Sequence, residues 1–215
     1  MTDKTQSIEE FWRLFKKQAP ELAAISSADH PVYDLILEQL QQIDPGLYFE
    51  FSSGHGTAEL IITAEGDSSL FSLVEAIVAG APDISGWTIL SLKPKLGFPV
   101  NARWEGTTVT IADVVFDPLE WEDSQDLGIR IFISGLTPEH AEDAHNALLR
   151  ALDHGLGERA FAECVQFTEV LPLPSDASAE EYIPLTELEN YINWRKKNRN
   201  KESAHQAGGA GKTWE

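Results

Sequence analysis

The chain has 215 residues, 42% of them hydrophobic, with six Trp and ten Phe, enough apolar material for a core in one domain or two small ones and too much for a disordered chain. Its charge is lopsided: between Glu21 and Trp194 stand 30 acidic residues against six basic ones, a formal −24, and Arg195, Lys196, Lys197, Arg199 and Lys201 cluster just beyond. Such a body repels nucleic-acid phosphates and anionic headgroups and attracts basic proteins through a salt-screened field, so the expected partner is a basic protein, with no nucleic acid and no membrane.

The N-terminus lacks the apolar run of a signal peptide, and no window approaches a membrane span in length, so a cytoplasmic protein is expected. Ser7 and Glu10 form a capping-box pattern before Phe11, Trp12, Leu14 and Phe15, which predicts a helix from about Ile8 to Lys17. Val32, Ile36, Leu40 and Ile43 share the face of a second helix, stopped at Asp44, Pro45 and Gly46.

The period then changes. Leu47, Phe49 and Phe51 alternate as a strand, SSGHGT turns the chain, and Glu59 to Ala64 returns as a second strand. A helix bearing Leu70, Val74, Ile77 and Val78 follows, capped by Asp67 or Ser68 and ended by Gly80 and Pro82; Trp87 to Leu92 is a third strand. The order ββαβ recurs: a strand over Thr107 to Phe116, an acidic loop, a strand over Gly128 to Ser134, a helix from Pro138 to His154 and a strand from Glu163 to Leu171, offset by about 70 residues. Thr186 with Glu189 starts a last helix that runs into the basic cluster, and the Gly- and polar-rich composition from about Asn200 predicts a disordered tail.

The expected fold class is therefore α+β: two ββαβ units forming an internal duplication, with N-terminal helices and a C-terminal helix. The expected segments are 1–46 (helices), 47–93 (first unit), 94–106 (linker), 107–174 (second unit), 175–199 (helical) and 200–215 (tail). The two halves either share a continuous sheet or stand as two lobes.

Chemistry is sparse. GGAGKT (Gly208 to Thr213) resembles the end of a phosphate-binding loop, but the position that needs the first Gly is Gln206 and no strand precedes it. His140 and Asp143 have the spacing of helical metal ligands; His145 is five residues from His140, falls with Ala141, Leu148 and Leu152 on the expected buried stripe, and His154 is a cation at a helix end. Asp113 is a general-acid candidate if its strand face is buried and a solvated side chain if the opposite face is the core. Cys164, the single cysteine, permits no intramolecular disulfide and lies in an apolar run. No catalytic residue, cofactor site or metal site is assigned.

The loop FDPLEWEDSQD is different in kind. Asp117, Glu120, Glu122, Asp123 and Asp126 crowd around Trp121, and an aromatic among charges in a turn is the kind of residue that anchors an interface. These six residues form the candidate partner-binding site. The acid spacing does not match an EF-hand.

The segments FWRLF, LYFEFSSG, ELIITAEGD and LVEAIVAGAPDISGWTILSLKP resemble a loosely defined set of uncharacterised bacterial proteins, some of them immunity-like or accessory-like, with a weaker echo at IPLTELENYINW. The resemblance bears on fold and carries over no activity. The leading expectation is a soluble acidic protein that binds another protein. Its rivals are an enzyme using carboxylates such as Asp113 or Asp143, and a homo-oligomeric structural subunit.

Overall fold

In a computed structural model the described residues are 2–25, 27, 29–54, 57–121, 124 and 126–209. In chain order the elements are α1 (Thr2–Ala24), α2 (Pro31–Gln41), β1 (Tyr48–Gly54), β2 (Thr57–Thr63), α3 (Phe71–Ala79), β3 (Trp87–Ser91), β4 (Asn101–Trp104), β5 (Thr107–Thr110), β6 (Val114–Glu120), β7 (Leu127–Ile133), α4 (Ala141–Leu156), α5 (Glu158–Cys164), β8 (Phe167–Pro172), β9 (Ile183–Pro184) and α6 (Leu188–Gly209). The strands form three sheets, ordered β1-β2-β3, β4-β5 and β8-β7-β6-β9. The fold is α+β, with helices at both ends of the chain.

The chain divides into two units, Met1–Gly97 with Leu156–Glu163, and Phe98–Gly155 with Cys164–Glu215. In the first, β1 pairs antiparallel with β2 and β2 parallel with β3, with α3 as the crossover. One buried cluster joins Phe11, Phe15 and Leu22 of α1, Ile36 and Leu40 of α2, Leu60 and Ile62 of β2, and Val74 and Ile77 of α3. Trp12 lies in it too, and its indole N–H donates to the Ile77 carbonyl at 2.8 Å, which satisfies its only polar atom. Helix α1 extends past the expected bounds in both directions, so Ser7 and Glu10 lie within it rather than at its start. It also runs through Pro20, whose missing N–H costs about 3 kcal/mol in a helix interior. Ala19 and Leu22 are both buried there, and continuing the apolar stripe offsets the loss.

A buried carboxylate closes this unit. Glu158 is 1% exposed. Its Oε1 accepts from the backbone N–H of Ala64 at 3.0 Å and Gly66 at 3.1 Å; its Oε2 accepts from the Thr63 hydroxyl at 2.7 Å and the Lys93 N–H at 3.0 Å. Four donors meet one carboxylate just past the carboxyl ends of β2 and β3, so the polar group is fully satisfied where water does not reach.

The second unit repeats the order. Strands β6 and β7 pair antiparallel, β7 and β8 parallel, and α4 with α5 lies between β7 and β8 in the chain. Ala144, Ala147, Leu148, Ala151 and Leu152 make the buried stripe of α4, while His145 sits half-buried at its margin. The two short β9 residues pair with β6 at the other edge.

Four expectations change. The stretch expected as a linker contributes β4, joined to β5 by Glu105 and Gly106 with φ of 43° and 90°; two consecutive positive φ values make the tight two-residue hairpin turn whose twist suits paired strands. The strand expected over Thr107 to Phe116 is broken by a 3-10 turn at Ile111–Asp113, which lets β5 and β6 pair with different partners. The strand expected from Glu163 begins at Phe167, because residues 158–164 form α5, with Cys164 buried at its end. Helix α6 continues to Gly209, where a disordered tail was expected from Asn200; Lys, Glu, Ala and Gln in this stretch are good helix formers. The last four residues of GGAGKT lie outside the described residues.

Candidate functional site

The register of the four-stranded sheet β8-β7-β6-β9 sorts the acidic loop. Leu119, Gly128 and Phe167 stand opposite one another across β6, β7 and β8, as do Asp117, Arg130 and Glu169 one step along the same face. On that face Arg130 Nε donates to Glu169 Oε2 at 3.0 Å. The indole of Trp121 folds across Gly128. A Cβ at position 128 would lie 3.0 Å from Trp121 Cη2, 3.2 Å from Leu119 Cβ and 3.3 Å from Phe167 Cδ1, so the absent side chain makes room for the ring. Trp121 and Phe167 nevertheless remain 47% exposed each. The result is an open sheet face with one apolar row, Leu119, Trp121 and Phe167, beside a charged row.

Glu120 points the other way, because neighbouring residues of a strand face opposite sides. One carboxylate oxygen accepts from the Tyr191 hydroxyl at 2.7 Å and from Arg195 Nε at 2.9 Å, and the other lies 3.8 Å from Arg199. Arg195, only 8% exposed, also donates to the Asp126 carbonyl at 2.7 Å, and Arg199 donates to the Ser124 carbonyl. The two arginines of the basic cluster, Arg195 and Arg199, therefore reach back 75 residues and hold both ends of the acidic loop. The bond from Tyr191, then Arg195 and Arg199, keeps Glu120 below the usual glutamate range despite its partial burial. Burial, then the bond to Glu120, pushes the Tyr191 phenol above its ordinary value.

The described loop residues named from the sequence divide between different surroundings. Asp117 and Trp121 share the open face; Glu120 is held by α6; the Asp126 carboxylate accepts from Ser124 Oγ at 2.7 Å. Glu122 and Asp123 lie outside the described residues. Phe167, which the sequence reading passed over, joins Trp121 because β8 runs parallel to β7 and starts opposite Gly128.

The other candidates fall together elsewhere in this unit. Asp113, exposed in its 3-10 turn, lines a cleft of about 1070 Å³ with His140, Asp143 and Thr107. Thr107 Oγ1 donates to Asp143 Oδ2 at 3.2 Å. Among the described residues no group of three or more His, Cys, Asp or Glu has the arrangement of a metal site. Among them, too, no helix is long and apolar enough to cross a membrane. No family model, curated protein or solved structure matches the sequence, so no residue role is transferred from a relative.

Proposed function

We propose that the protein acts by binding a basic protein partner through the open face of its four-stranded sheet, in the manner of an immunity or accessory protein. The observation that carries this reading is the pair Trp121 and Phe167, two half-exposed aromatics meeting over Gly128. Large rings that close a patch on docking are the side chains from which interfaces draw most of their affinity. The adjoining Asp117 and Glu169, within a body of formal charge −24, favour a cationic partner and disfavour a second copy of the same chain.

Affinity capture from cells of the source organism tests this. Wild type should retain a basic protein that Trp121→Ala and Phe167→Ala lose, Trp121→Ala weakening the purified complex by about 2 kcal/mol, mainly through faster dissociation. Replacing Asp117 and Glu169 with Asn and Gln should instead slow association and flatten its salt dependence. Equal capture by wild type and both aromatic variants would remove the assignment. A symmetric dimer in solution that either aromatic substitution dissolves would replace it with self-association.

A further inference from the structure

The two edges of the four-stranded sheet are unlike. At one, β9 pairs with Val115 and Phe116 of β6, and Pro118 further along that strand has no N–H to offer. A short added strand and a proline are among the means by which a sheet edge is closed to other chains. At the other edge, among the described residues, β8 pairs with β7 alone, and Phe167 to Leu171 run without Pro or Gly.

The ladder fixes which groups that open edge presents. Strands β7 and β8 pair as far as Ile133 and Pro172, and Leu173 donates its N–H to the Ile133 carbonyl. Peptide groups alternate in direction along a strand, so those of Phe167, Glu169 and Leu171 face β7 and those of Thr168 and Val170 face out, in step with Pro172, which has no N–H to lose. The N–H and C=O of Thr168 and Val170 therefore point away from the sheet, and no described residue pairs with them. The side chains of Phe167 and Glu169 stand on the open face, where they end its apolar row and its charged row. Arg130 takes only Oε2 of Glu169, whose side chain is 39% exposed.

We infer, resting on the open face as the docking surface, that β8 takes up an extended segment of the basic partner as a further strand of the sheet. In that segment an apolar residue, a Lys or Arg and another apolar residue alternate with polar ones. Main-chain bonds to Thr168 and Val170 supply affinity, and the alternate side chains supply the choice of partner. The apolar residues lie beside Phe167 and Leu171, and the cation lies beside Glu169. Apolar, charged, apolar reads alike in both directions, so the same pattern serves a parallel or an antiparallel addition. A second copy is the poorer occupant: pairing β8 with β8 about Glu169 sets like charges side by side, and each body carries a formal −24.

The test is an NMR titration of the ¹⁵N-labelled full chain with an end-blocked peptide in which Ile, Lys and Ile alternate with Thr, and with the same peptide carrying Glu for Lys. The Lys peptide should slow hydrogen exchange at the Thr168 and Val170 amides, and the Glu peptide should not. N-methyl groups on alternate residues block one edge of the peptide and keep its side chains, so one methylated set should abolish binding and the other leave it nearly unchanged. Thr168→Pro removes an outward N–H and no bond to β7; it should weaken the Lys peptide about fivefold or more while the amide spectrum stays dispersed. Glu169→Gln should weaken it about two- to fivefold. Strand addition is overturned if both methylated sets bind like the parent peptide, or if the Thr168 and Val170 amides exchange as before at millimolar peptide. Protection of those amides in the free chain that grows with its concentration would give the edge to a second copy instead. The docking surface fails separately: a partner lost by Trp121→Ala and Phe167→Ala but kept by Thr168→Pro leaves the open face standing and removes the edge.

Discussion

The two ββαβ units manage charge in opposite ways. In the first, one carboxylate is buried completely and every donor on it is a backbone N–H or a hydroxyl, fixed by the ends of β2 and β3. In the second, Glu120 stays 41% exposed and is held by two arginines and a tyrosine from a helix far along the chain. The sheets differ likewise: α1 and α2 cover the first, with Trp87 wedged between Phe15 at 4.9 Å and Phe51 at 5.4 Å, whereas Trp121 and Phe167 of the second remain half exposed. Backbone donors cannot turn away when their acceptor is removed, and side-chain partners on a surface can. The first unit should therefore be brittle at its charged position and the second tolerant.

The largest expected effect follows directly. Glu158→Ala leaves three N–H groups and a hydroxyl without their acceptor in a dry site, which should cost on the order of 3–5 kcal/mol in chemical denaturation. Glu158→Gln should recover little, because its amide NH₂ faces donors that already need an acceptor. A Gln variant as stable as wild type would show that the carboxylate is dispensable and would break the contrast between the units.

Much of this architecture is legible in the sequence, since α2, the β1–β2 hairpin, α3, β3, β7 and α4 each announce themselves by period and punctuation. The β4–β5 hairpin is harder to see: strands of four residues carry little alternation, and Glu-Gly is a weaker turn signal than Asn-Gly. Glu158 carries no signal at all, because the groups that need it come from residues 63–66 and 93, and a glutamate in a short helix looks like any solvated one. The basic cluster is plain in the sequence, but its target is not. Helix period places Tyr191, Arg195 and Arg199 on one face, and only the tertiary fold puts Glu120 against that face.

A smaller effect is expected at that clasp. Arg195→Ala should cost about 1–2 kcal/mol, part of it for the Asp126 carbonyl left without its donor. The coupling between Arg195→Ala and Glu120→Gln in a double-mutant cycle should be about 1 kcal/mol, discounted for the exposure of the carboxylate. The sign with pH follows from the lowered pKa of folded Glu120. Its contribution is complete above the unfolded glutamate value and is lost as pH falls through the folded one. Acid titration of stability should therefore be shallower in that window for Arg195→Ala and Tyr191→Phe than for wild type. Identical profiles would mean that the clasp adds nothing to the second unit's stability.

The smallest effect on stability is expected at Gly128, where the added methyl group of Gly128→Ala meets Trp121, Leu119 and Phe167. A methyl forced into a closed core costs about 1–3 kcal/mol, but two of these three neighbours are rings already half in solvent and free to lift. Stability should fall by less than about 1 kcal/mol, because the strain is relieved outward and the ladder bonds of β7 do not involve the new group. The consequence should instead be local. The indole N–H resonance of Trp121 should move while that of Trp12, bonded to the Ile77 carbonyl inside the first unit, stays where it is. Because the substitution displaces the ring without deleting it, it separates geometry from composition at the open face. A partner that needs the Trp121–Phe167 row should bind Gly128→Ala several-fold more weakly at nearly unchanged stability. A stability loss as large as that of a core substitution would show instead that this face is packed as tightly as the covered sheet of the first unit, and the contrast between the two would disappear.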